Sequence, residues 1–158
     1  MQSEKWKQTC IDLFRMVSRE DWGASPPKWE MPEQSTPQES FYTTFAKTYW
    51  CKHDEDCRKI VHDLQQKHMD EGHPDIQYNF LVGGDGNVYE GAGWNYTTVD
   101  LSRPEFNRYP KVIIATLGRP TESRYMRRTV RTVDRFISYG VAKKMLLPGR
   151  KFKYTAIG

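Results

Sequence analysis

The side chains with most capacity for chemistry in this chain are four histidines, His53, His62, His68 and His73, three cysteines, Cys10, Cys51 and Cys57, and the pair Tyr78 and Glu90. Imidazoles and thiolates build zinc centres when they recur as HExxH, as HxxEH or as doubled cysteine pairs. None of those spacings occurs, and Cys51 and Cys57 have no second pair to complete a cage. His62 falls inside a helical pattern, where a solvent-facing position is the simpler assignment. Nucleophilic chemistry is no better supplied. GxSxG is absent, no Ser-His-Asp set can be asserted, and Gly83-Gly84-Asp85-Gly86 lacks the lysine and hydroxyl partner of a phosphate loop. Tyr78 and Glu90 have acid–base capacity but stand without a metal or nucleophile to work beside.

Two further features are chemical without being catalytic. Cys51 and Cys57 are close enough to staple a loop onto the start of a helix, a ring whose closure is worth roughly 2 kcal/mol by chain entropy. Cys10 is then left over, and three reduced thiols are the other reading that spacing allows. Asn95-Tyr96-Thr97 is an acceptor triplet for N-glycosylation, relevant only to an extracellular domain.

The elements that must position these groups are legible in part. Ile76, Tyr78, Phe80 and Val82 alternate with Gln77, Asn79 and Leu81, and after the Gly83–Gly86 breaker a second run, Asn87 to Glu90, completes a predicted β-hairpin. Gly91-Ala92-Gly93-Trp94 then strips side-chain bulk from around a large indole. It reads as a wall of a binding groove, or as a tight turn with one tryptophan plugging the core.

Phe41 to Phe45 reads as a strand, and Val112 to Leu117, which lacks alternation, as a central strand covered on both faces. Asp54 is expected to cap a helix with Glu55 and Asp56 in its first turn and a stripe of Ile60, Val61 and Leu64, running to about Met69 and ended by Gly72 and Pro74. A last helix carries Met126, Val130, Val133 and Ile137 on one face and Arg124, Arg127, Arg128, Arg131 and Arg135 on the other, with Gly140 marking its end. That arginine face suits phosphate, RNA or an acidic surface. A solvated face is the stronger reading, since the chain has no RNA-binding motif. Pro26 to Pro37 should form an irregular wrap tied down by Trp22 and Trp29, and residues 151–157 look strand-like.

A length of 158 residues supports one domain with a real core, and aromatics at 13% of the chain exclude wholesale disorder. The net charge of +4 is too modest to argue for nucleic acid. Neither end has a signal-peptide profile and no run is apolar enough to cross a bilayer, so the segment reads as cytosolic or as a domain of a longer secreted or membrane-anchored chain.

Several linked motifs in one order resemble the peptidoglycan recognition protein family, animal relatives of phage-type N-acetylmuramoyl-L-alanine amidases. They are Val17-Ser18-Arg19-Glu20-Asp21-Trp22-Gly23-Ala24, Cys51 and Cys57 at the family's bridge spacing, His68-Met69, Asp75 through Gly86, and Tyr89-Glu90-Gly91. The resemblance covers Val17 to Tyr154. It implies an α/β fold, a mixed central β-sheet flanked by helices with a one-sided groove, and a Cys51–Cys57 disulfide. It also implies an N-terminal arm or extension over residues 1–16 and a recognition-like domain over 17–158 that stops short at its C-terminal end.

The departures from the family pattern bear on function. Where catalytic relatives carry two histidines at the end of the strand before the bridge, this chain has Thr43 and Thr44, the first at a zinc-ligand position. The second zinc histidine belongs near Ile157, and the zinc cysteine beyond it. Tyr78 matches the catalytic tyrosine, but without zinc there is no polarised carbonyl or activated water for it to assist. Members that prefer diaminopimelic-acid peptidoglycan have Gly-Trp and an arginine where this chain has Gly72-His73 and Ala92, so a bidentate, charge-assisted carboxylate contact is lost.

The resemblance therefore implies no enzyme, no cofactor and no metal. It implies a non-enzymatic regulator of innate immune signalling whose partner is another immune receptor or signalling protein. Peptidoglycan binding is expected weak or absent, with no nucleic acid and no membrane contact by the domain itself. An extracellular location is implied, as a secreted domain or an ectodomain, with the cytoplasm as the alternative. A second reading keeps muropeptide in the groove through Trp94, Tyr78 and Asn107, with Thr44, His73 and Ala92 as the other ligand-site positions, and a third is a zinc amidase. Asn95 is the glycosylation candidate.

Overall fold

The structure is a computed structural model and describes residues 14–38, 40–46, 49–99, 110–118 and 126–148. The arm, including Cys10, lies almost wholly outside these, as do Arg124, Phe106, Asn107, Ile157 and the run 151–157. The elements in order are β1 (Met16–Val17), α1 (Arg19–Trp22), β2 (Phe41–Ala46), α2 (Asp54–Asp70), β3 (Phe80–Val82), β4 (Val88–Glu90), β5 (Val112–Leu117) and α3 (Arg127–Ala142). The strands form one mixed sheet in the order β1-β4-β3-β5-β2. β5 runs parallel to both of its neighbours, β2 and β3, whereas β3 and β4 form the antiparallel hairpin.

All six residues of β5 are buried, which is what an apolar run without alternation requires when both sheet faces are covered. One core cluster lies on the α2 side and joins Val61 and Leu64 to Leu81, Tyr89, Ile113, Ala115 and Leu117. The other lies on the α3 side and joins Val133 and Phe136 to Phe41, Phe80, Val82, Val112 and Ile114. The sheet is thus sandwiched between two helices, the α/β class and flanked mixed sheet that the motifs imply.

Cys51 and Cys57 are bonded, Cα–Cα 5.2 Å, at the mouth of α2. Gly84 fits under this bridge closely, since a Cβ there would come within 1.9 Å of the Cys51 carbonyl oxygen. Asp54 does not cap α2. The N-cap is His53 with no side-chain hydrogen bond, and the Asp54 carboxylate instead engages Arg58 Nε at 2.6 Å one turn on. The helix ends as expected, at Glu71, with Gly72 in the left-handed region at φ 101°.

Three other expectations need correction. β3 is only three residues long because the amides before it are drawn to side chains. Ile76 N–H donates to Asp75 Oδ1 at 2.7 Å and Gln77 N–H to His68 Nδ1 at 3.0 Å, which leaves neither for a ladder. Gly140 does not end α3 but is buried inside it, where a Cβ would meet Leu146 and Trp94 at 2.9 and 3.1 Å. The helix leaves no room there for a side chain, and its buried face runs through Thr129, Thr132, Val133 and Phe136. Trp22 is buried, with Nε1 donating to the Glu90 carbonyl, but Trp29 does not tie down the wrap. Polar groups do so: Lys28 N–H donates to the Pro74 carbonyl, and the Gln34 side chain bridges the Trp94 and Lys111 carbonyls, the Lys111 amide and the Thr97 hydroxyl.

Candidate functional site

Thr43 and Thr44 occupy adjacent positions of β2, in register with Ile114 and Ala115. Successive strand residues face opposite sides of a sheet, so the two hydroxyls diverge. Both are 0% exposed. Neutral hydroxyls on opposite faces do not make the imidazole and thiolate set that zinc requires, so the residues present do not fit the ion. Among the described residues no three of His, Cys, Asp and Glu converge in a metal-binding group. Thr44 also offers no accessible surface to a ligand.

His68, His73 and Tyr78 are brought together. The His68 ring lies 5.4 Å from that of Tyr78 and 6.3 Å from that of His73, both edge-on, and all three residues are buried. His68 Nδ1 accepts the Gln77 amide proton, which places the imidazole proton on Nε2. Their spacing follows from the end of α2, because Gly72 turns the chain back so that His73 N–H donates to the His68 carbonyl at 3.0 Å. Glu90 is used structurally, with Oε1 accepting the Arg19 amide at 3.2 Å.

Ala92 lies apart from that group, in a cavity of about 750 Å³. Met31 and Ala92, both buried, contribute apolar surface, while Trp29 and Tyr96 line it with exposed rings, at 46% and 41%. Glu30 and Glu33 add carboxylates, and Arg19 and Asp75 a charge pair, Nη2 to Oδ2 2.9 Å. Two strands of irregular chain make this place. The wrap meets the segment after the hairpin at an antiparallel bridge between Glu33 and Tyr96, supported by Gln34 N–H to the Asn95 carbonyl and Thr97 N–H to the Pro32 carbonyl. Asn79 holds the second segment from below, Nδ2 donating to the Gly93 and Tyr96 carbonyls and Oδ1 accepting the Ile113 amide.

Of the expected ligand-binding residues, then, Ala92 lines the cavity, His73 and Tyr78 join His68, and Thr44 is enclosed. Trp94 packs inward on Phe80 and Phe136, ring centroids 4.6 and 5.4 Å apart, so its indole belongs to the core cluster under α3. Asn107 lies outside the described residues. Asn95 is exposed beside Tyr96. The cavity residues that sequence reasoning missed, Arg19, Trp29, Glu30, Met31, Glu33, Asp75 and Tyr96, come from segments tens of residues apart. Sequence reasoning assigns Trp29 to tying down the wrap and has no signal for the others.

One electrostatic perturbation among the described residues serves the fold rather than the cavity. Burial, and then the Asp85 carboxylate 2.5 Å from its hydroxyl, push the Tyr89 phenol far above its ordinary value. Asp85 also accepts from the Asn87 amide and side chain, fixing the hairpin turn.

No family model matches the chain. Over 104 residues it is 42% identical to peptidoglycan-recognition protein SC1a of Drosophila melanogaster, a match covering 65% of this chain and 54% of that protein. The chain thus spans about half the length of the first curated relatives it matches. Among solved structures, Drosophila PGRP-LB aligns with a TM-score of 0.73 at 30% identity, covering 89% of this chain and 81% of that one. The ectodomain complex of Drosophila PGRP-LCa and PGRP-LCx bound to tracheal cytotoxin aligns with a TM-score of 0.80 at 29% identity, covering 89% and 84%.

Proposed function

Because the chain belongs to the peptidoglycan recognition protein family, we propose that it is a non-enzymatic member that regulates innate immune signalling through contacts with other proteins. The observation that carries this reading is the pair Thr43 and Thr44, enclosed in β2 at positions where the family resemblance leads one to expect histidines. Without a first ligand, Tyr78 has no metal-activated water to assist and remains as architecture. The similarity to PGRP-LCa and PGRP-LCx, solved as an ectodomain complex, supports both an extracellular placement and a protein partner. The closed Cys51–Cys57 bridge also supports the extracellular placement, since disulfides persist in oxidising compartments.

A second reading has one observation in its favour. The cavity of about 750 Å³ that Ala92 lines is open to a ligand, which makes it a place for a muropeptide to be held without being cut. Calorimetry with lysine-type and diaminopimelic-acid-type muropeptides separates the two, alongside a pull-down against family receptors. The leading reading expects receptor capture with no heat from either glycopeptide. Heat from a glycopeptide with no receptor captured contradicts it.

A further inference from the structure

The cavity around Ala92 has a character that loss of the zinc site does not explain. Arg19 and Asp75 offset one another, so among the described residues the remaining charges lining it are Glu30 and Glu33, which form no ion pair there. Two of the four exposed large apolar residues among those described, Trp29 and Tyr96, line this same cavity. Large exposed rings gathered beside a cavity mark a binding surface. Aromatic faces flanked by carboxylates recognise cations, by quadrupole attraction and charge pairing together. A further acceptor is present at depth. Asp75 Oδ2 is near enough to Arg19 to pair its charge, yet it accepts no hydrogen bond of sound geometry and is almost wholly buried.

Ala92 explains why such a site is open in this chain. The resemblance places an arginine here in members that prefer diaminopimelic-acid peptidoglycan. A guanidinium would occupy part of the cavity and neutralise a carboxylate, whereas alanine leaves both space and negative charge. We propose that this cavity docks a basic peptide segment of a protein partner, a lysine or arginine side chain lying against Trp29 and Tyr96 with its charge toward Glu30 and Glu33. A position that elsewhere reads an acid thereby reads a base. Charge complementarity selects the occupant, since the cavity is locally acidic on a chain of net charge +4. This rests on the protein-contact reading above.

The test is calorimetry and NMR of the full chain with an acetylated, amidated Gly-Lys-Lys-Gly peptide, and with its glutamate counterpart as control. The lysine peptide should bind, weaken with added salt, and shift the Trp29 and Tyr96 ring resonances. Each of Glu30→Gln and Glu33→Gln should lower affinity about fivefold, as expected of a partly exposed charge pair. Ala92→Arg should abolish binding. All of these sites but Ala92 are exposed, and thermal melts of the glutamine variants should match the parent. No binding at millimolar peptide, equal binding of the glutamate peptide, or affinity unchanged in the double glutamine variant overturns the proposal. Zinc content and muropeptide cleavage are measured on the same sample. Failure of the peptide arm with no zinc and no cleavage removes the docking site alone, whereas zinc with cleavage removes the non-enzymatic reading.

Discussion

Replacing Asn79 by alanine should unlock the segment that carries Ala92 and Tyr96. Asn79 is fully buried, and its side chain makes three hydrogen bonds at 2.8–2.9 Å, two to the Gly93 and Tyr96 carbonyls and one from the Ile113 amide of β5. The variant leaves the Ile113 N–H without its acceptor and both carbonyls short of a donor. Each orphaned buried group costs about 1–3 kcal/mol, the full charge falling on the enclosed Ile113 amide and less on the Tyr96 carbonyl near the rim. A total of about 3–5 kcal/mol follows, or a fall in Tm of roughly 6–20 °C for a domain of this size. Urea unfolding gives the energy, and hydrogen exchange locates it, since Ile113 protection should drop more than that of Leu117 in the same strand. A loss under about 1 kcal/mol with Ile113 protection unchanged would refute the reasoning, because it would mean that the segment is held from elsewhere.

Other perturbations probe separate links. Gly84→Ala forces a Cβ to within 1.9 Å of the Cys51 carbonyl and should cost about 3 kcal/mol or more, read as reduced soluble yield and Tm. Tyr89→Phe removes the hydroxyl that donates to Asp85 and should cost about 1–3 kcal/mol in urea unfolding. The raised phenol also sets a sign: Tyr89 stays neutral in the fold while an unfolded tyrosine ionises near pH 10, so its contribution is complete below about pH 10 and is lost as pH rises beyond it. Ultraviolet titration of the parent against Tyr89→Phe should show the Tyr89 phenol silent until alkaline unfolding. Cys51→Ala with Cys57→Ala should lower stability by about 2 kcal/mol, matched by reduction of the parent. In secreted protein, Asn95 should carry a glycan that Asn95→Gln removes, seen as a mass shift.

The fold was legible wherever a local pattern sufficed. Val112 to Leu117 announced a doubly covered strand by its lack of alternation, α2 by its apolar stripe and its glycine stop, and the hairpin by its turn residues. Sequence reasoning failed where side chains competed with the backbone, one of them from a residue well back in the chain. Asp75 and His68 take the Ile76 and Gln77 amides, which shortens β3, and nothing in a period-two pattern reports a partner nine residues away. Gly140 looked like a stop because a glycine near a helix end usually is one, but contact with Trp94 and Leu146 decided its place. The candidate site was least legible of all. It exists because Glu33 pairs with Tyr96 across 63 residues, and neither segment alone has a periodicity that signals the pairing.

The scaffold presents two enclosed threonines on the strand that should begin a set of donors for a catalytic ion. Elemental analysis of chain folded in excess zinc and then desalted measures that loss. Zinc should fall far below one ion per chain. One firmly held zinc per chain, accompanied by release of L-alanine-linked peptide from muropeptide, would contradict it.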